Sequence, residues 1–117
     1  MSSERARDQP LTERALSLLR AVATSPEPDP EQLNELFRCA HTLGTRAHDA
    51  EPPASELGHE LELFCDDLRM GRTMLGAHRA VLLRKALQVL DAALRGQPQS
   101  RERTEAVTRE LHALREQ

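Results

Sequence analysis

A chain of 117 residues is long enough for one domain with a modest core, and a formal net charge of −3 without a block of like charge excludes the basic face that nucleic-acid binding needs. Aromatic residues make up 2% and neither tryptophan nor tyrosine occurs, so leucine and alanine must fill the interior. That filling suits helix packing better than a sheet, and few runs of valine, isoleucine or threonine alternate as strands would.

Residues 1–10 are polar and read as a flexible N-terminus, with none of the apolar core of a secretory signal. Thr12, just past Pro10, is placed to cap a first helix running to about Ala23, with Leu11, Ala15, Leu18, Leu19 and Val22 at helical spacing. Prolines at 26, 28 and 30 end it. A second helix starts clearly: Asp29 is the N-cap, Pro30 fits the first helical position, Glu31 suits the dipole and Gln32 can close a capping box. Its apolar stripe is Leu33, Leu36, Phe37, Ala40, Leu43 and Ala47, and it is expected to end between His48 and Ala50.

A third helix is expected over 53–69, with Leu57, Leu61, Phe64, Cys65 and Leu68 inward and His59, Glu62 and Asp66 on another face. The fourth is expected from Thr73 or Leu75 to Leu94, carrying Ala80, Leu83, Leu87 and Leu90, before Gly96-Gln97-Pro98 stops it. Ser100 can cap a trailing helix over 99–117, whose stripe of Val107, Leu111 and Leu114 is narrow. The expected fold class is all-α: an up-and-down four-helix bundle over 11–96 with an additional C-terminal helix. No apolar run is long enough to span a bilayer.

Several chemistries are excluded or disfavoured by pattern. Five scattered glycines form neither a Walker loop nor a dinucleotide fingerprint, and no Ser/His/Asp set can be argued. Cys39 and Cys65 lack finger spacing and read as small buried hydrophobes of a reducing cytosol. Glu56 and His59 form one Glu-x-x-His pair of the di-iron bundle type, but the second pair is missing, so no metal is expected.

His41 remains. It lies one step off the stripe of its helix, which puts the ring at the edge of the core with one face toward water. Arg38, Gly44, Thr45 and His48 share its side. An exposed imidazole can be a nucleophile toward phosphorus when one ring nitrogen is free and the other is held by a hydrogen bond. Glu62, on the neighbouring antiparallel helix, is a suitable orienter, and Gly44 is expected to leave room for a partner. An ordinary solvated face is the plain alternative for His59 and Glu62.

The run Phe37-Arg38-Cys39-Ala40-His41-Thr42-Leu43 resembles the core motif of histidine phosphotransfer domains, most closely those at the N-terminus of chemotaxis-type histidine kinases. The family pattern reads Phe-Arg-x-x-His-Thr-Leu-Lys-Gly, and His59-Glu60-Leu61-Glu62 resembles its following His-x-x-Glu. Asp91 to Leu94 resembles a later Asp-x-x-Leu stretch. The resemblance implies a four-helix bundle with a trailing helix. It implies that His41 accepts a phosphoryl group, that Glu62 orients it, that His59 is a polar neighbour and that Arg38 gives electrostatic help. Gly44, Thr45 and His48 would face the partner. The partners implied are a kinase ATP-binding domain and a response-regulator receiver domain, which bring the magnesium and catalytic aspartates. The chain is thus expected to be a phosphocarrier without a cofactor of its own rather than a complete enzyme, in a monomeric module of the bacterial cytoplasm.

One position departs from that pattern. Gly44-Thr45 stands where the family has Lys-Gly, and Leu43 and Ala47 keep the stripe in phase, so the lysine is substituted rather than deleted. Arg38 and Arg46 are the nearby cations on the same helix. The alternative reading is a degenerate scaffold that binds a receiver or kinase without carrying phosphate, and an unrelated helical interaction module is the third.

Overall fold

The computed structural model describes residues 3–98 and 101–116, with the side chains of 3–9 left aside. Five helices follow one another: α1 (Ser3–Thr24), α2 (Pro30–Ala47), α3 (Ala54–Arg69), α4 (Ala77–Leu94) and α5 (Arg101–Arg115). No strand occurs among the described residues. Short connections make successive helices antiparallel neighbours. α1 packs on α2 and α4, α3 packs on α2 and α4, and α5 lies against α3 and α4. The architecture is an all-α bundle with an extra helix.

The core is built from the apolar stripes. Leu36, Ala40 and Leu43 of α2, Leu57, Leu61 and Phe64 of α3, and Leu83, Leu87 and Leu90 of α4 are each almost fully buried. Each large side chain so buried contributes about 1.5–3 kcal/mol of hydrophobic free energy. Phe64 is the one aromatic ring at the centre; Leu33, Phe37 and Leu75 pack on the rim.

Local chemistry sets the helix ends. The Asp29 carboxylate accepts the Glu31 N–H at 3.0 Å, with Pro30 as the first residue of α2. Gly71 and Gly96 follow α3 and α4 at φ of 73° and 75°, a left-handed conformation that costs glycine nothing. There the N–H groups of Arg72 and Gln97 reach back to the carbonyls of Asp67 and Ala92 at 2.9 and 3.0 Å.

Three boundaries differ from the sequence expectation. α1 begins at Ser3 and runs through Pro10, although an interior proline gives up one hydrogen bond and crowds the preceding turn. Thr12 is therefore a buried residue inside that helix and not its cap. α2 ends at Ala47 with His48 as C-cap. α4 starts at Ala77 because Gly76, with ψ of 175°, holds the chain extended and serves as N-cap. The Ser100 cap lies outside the described residues.

α5 is fastened by both kinds of contact. Val107 and Leu111 are fully buried, and the Glu60 carboxylate of α3 accepts from His112 Nδ1 at 3.0 Å and from an Arg115 Nη at 2.8 Å. Among the described residues, no helix is long and apolar enough to cross a membrane.

Candidate functional site

The site arises from how closely α2 and α3 approach. At the crossing, Gly44 faces Gly58. A Cβ on Gly44 would lie 3.1 Å from the Gly58 carbonyl oxygen, and one on Gly58 would lie 2.8 Å from the Ala47 Cβ, below normal carbon contact. Two glycines thus let the backbones meet. One turn along, the short separation brings the side chains of His41 and Glu62 together.

There His41 Nδ1 is hydrogen-bonded to a Glu62 carboxylate oxygen. An ionised carboxylate only accepts, so Nδ1 carries the proton, and in the neutral ring Nε2 then keeps its lone pair. The His41 side chain is 59% exposed and that of Glu62 26% exposed, so the orienting group is sheltered while the ring faces water. The backbone of His41 is fixed as part of α2, and its carbonyl accepts the Thr45 hydroxyl at 2.9 Å.

A second contact fixes the plane of the ring. Phe37, one turn earlier on α2, stacks on His41 with centroids 5.9 Å apart and planes 22° from parallel. Above the Phe37 ring lies the guanidinium of Arg69, 3.9 Å from the centroid. Arg69 is itself held: its Nε donates to Asp66 at 2.7 Å, and Arg72 donates to Asp66 and Asp67 at 3.3 and 3.1 Å. The hydrogen bond from Arg69, with that from Arg72, keeps the Asp66 carboxyl below its ordinary range. The hydrogen bonds that Arg72 donates to Asp67 and Asp66 in turn push Arg72 above its own.

The residues named from sequence take different places. His41 and Glu62 are brought together. Arg38 is exposed one turn before His41. Thr45 is exposed, but its hydroxyl is turned back to the helix. Gly44 is turned toward α3 and not toward the solvent face it was expected to clear: a Cβ there would also lie 3.6 Å from a Glu62 carboxylate oxygen. His48 and His59 line a groove of about 820 Å³ between α3 and α5, together with Glu56, Glu60, Arg109 and His112. No described hydrogen bond links His59 to His41. Asp91 is 7% exposed and paired with Arg95 at 2.8 Å on its own helix.

Sequence reasoning missed Arg69 altogether and read Phe37 only as core. The signal was present in the antiparallel register of α2 and α3: a pairing that sets residue 41 against 62 also sets 37 close to 66 and 69.

Cys39 and Cys65 are free thiols, and both are buried. Burial pushes each thiol pKa up, for Cys39 with a smaller opposing effect from Arg14, so neither is poised as a thiolate nucleophile. Among the described residues, no group of three or more His, Cys, Asp or Glu side chains is placed to hold a metal ion.

Among the described residues the arrangement singles out the His41 imidazole, whose inner nitrogen is held by Glu62 and whose side chain is exposed. That ring lines none of the grooves described between the helices. Compared with known proteins, the chain matches no family model, and a search among curated proteins finds no match.

Proposed function

We propose that this protein is a histidine phosphotransfer domain of a bacterial signalling system, carrying a phosphoryl group on His41 between a kinase and a receiver domain. The observation that carries the proposal is the Glu62 hydrogen bond to Nδ1, which leaves Nε2 exposed on a rigid helix. The motif around His41 supports the same reading by resemblance.

In the proposed reaction the Nε2 lone pair attacks the γ-phosphorus of ATP held by a kinase domain. A nitrogen–phosphorus bond forms, the bond to the bridging oxygen breaks, and ADP leaves with that electron pair. The Nδ1 proton stays on the ring, shared with Glu62, so the positive charge that develops on the imidazole is met by the carboxylate. In the second transfer a receiver aspartate oxygen attacks phosphorus and the N–P electron pair returns to Nε2. Magnesium and the aspartates come with the partners. An exposed site suits this use, because a macromolecular partner must bring its own active site onto the imidazole.

The test is phosphoryl exchange with a receiver domain phosphorylated beforehand, and with a kinase domain and ATP. The expected product is acid-labile, base-stable phosphate on this chain. Receiver binding without any label in the wild type would overturn phosphocarriage. It would favour the scaffold reading, whose support is the absence of a lysine at Gly44.

A further inference from the structure

We propose that Arg69 is the cation that serves the outer face of His41, presented to it from α3 by way of the Phe37 ring. This rests on the phosphotransfer reading above and adds to it the source of charge stabilisation. A phosphoryl group on Nε2 brings about two negative charges to a surface that holds one carboxylate already, Glu62, so a cation nearby favours the modified state. On α2 itself position 44 is a glycine and supplies none, and a Cβ there would sit tightly, 3.1 Å from the Gly58 carbonyl oxygen.

Arg69 meets the requirement in three ways. Its guanidinium stacks 3.9 Å over Phe37, and Phe37 in turn stacks on His41 at 5.9 Å, so the charge lies within about 10 Å of the imidazole, roughly one Debye length at 0.1 M salt. It is preorganised, because Asp66 holds Nε at 2.7 Å while the flat face rests on the ring. The side chain is also one-third exposed, so it is not sealed from solvent. Asp66 is not held by Arg69 alone: Arg72 shares that carboxylate, and Arg69 is the one that rests on the Phe37 ring.

The expected size follows from Coulomb's law. Two charges about 10 Å from a cation in water change the phosphorylated-to-free ratio about four-fold at low salt, and much less once salt screens them. The experiment uses the full chain and phosphoramidate as the phosphodonor. Nε2 attacks phosphorus, the donor's P–N bond breaks, and ammonia leaves after taking a proton. The steady-state phosphorylated fraction is measured at about 10 mM and about 500 mM salt.

Arg69→Gln is expected to lower the ratio about four-fold at low salt, with the gap closing at high salt. Arg69→Lys, which keeps the charge, is expected to recover most of the loss. Phe37→Leu, which keeps Arg69 but removes its platform, is expected to lower the ratio as well. Normal labelling of Arg69→Gln at low salt would overturn the role of Arg69 alone. So would a loss that persists at high salt and is not recovered by lysine, which would mark a packing effect. An unlabelled wild type would overturn both this role and the phosphotransfer reading.

Discussion

Replacing Gly58 by alanine tests the contact that creates the site. The new Cβ would lie 2.8 Å from the Ala47 Cβ and 3.2 Å from the Gly44 Cα. Carbon atoms rest at about 3.5–4.0 Å, so both contacts overlap, and no flexible side chain is available to move aside. α2 and α3 must separate. Overpacking of this kind costs about 1–3 kcal/mol, while alanine in place of glycine returns about 1 kcal/mol of helix propensity. The net expectation is a loss of about 1 kcal/mol, or a fall in melting temperature of about 4 °C for a domain of this size. Urea and thermal unfolding followed by circular dichroism measure it. The double variant Gly58→Ala with Ala47→Gly supplies a sharper readout, because removing the Ala47 Cβ relieves one overlap. The two changes are expected to couple by at least about 0.5 kcal/mol. A stabilised Gly58→Ala, or additive effects in the double variant, would refute the close crossing and with it the reason His41 and Glu62 meet.

Other expectations follow from the same geometry. The Asp66 pKa is lowered in the folded state, so its pairing with Arg69 and Arg72 stabilises the protein at neutral pH and fades as acid protonates it. Asp66→Asn is therefore expected to lower the urea midpoint at pH 7, with the difference from wild type vanishing below the ordinary carboxylate range; a gap that stays constant into acid would contradict this. Cys65 is expected to resist a chromogenic disulfide reagent at neutral pH until the chain is unfolded, since burial disfavours its thiolate, and rapid labelling of the folded protein would count against the buried placement. Leu111→Ala is expected to cost about 2–4 kcal/mol, because this residue is fully buried where α5 meets the bundle. A loss under about 0.5 kcal/mol would mean that α5 is not part of the cooperative unit.

The fold was legible where spacing alone decides burial. All five expected stripe residues of α3 are buried, and Leu36, Ala40, Leu43 and Ala47 of α2 likewise, because a 3.6-residue period selects one face of an isolated helix, whereas Leu33 and Phe37 stay on the rim. Asp29 with Pro30 fixed the start of α2 for an equally local reason. The nearness of His41 and Glu62 could also be read, since two antiparallel helices with a short connection have few registers. What depends on the neighbour was not legible. Gly44 lies on the same helical side as His41, yet its direction matters only through Gly58, fourteen residues on. The Arg69 stack needs the register of two helices and the rotamer of a long side chain. Pro10 marked a boundary by propensity, but one lost hydrogen bond did not stop α1.

The most direct measurement of the central proposal is the intact mass of the full chain after exposure to phosphoramidate, with the modified residue located by fragmentation at alkaline pH. One phosphoryl group on His41, lost in acid and missing from His41→Gln, is the predicted result. A wild-type protein that gains no phosphoryl group, or a His41→Gln variant that gains one as readily, would contradict it.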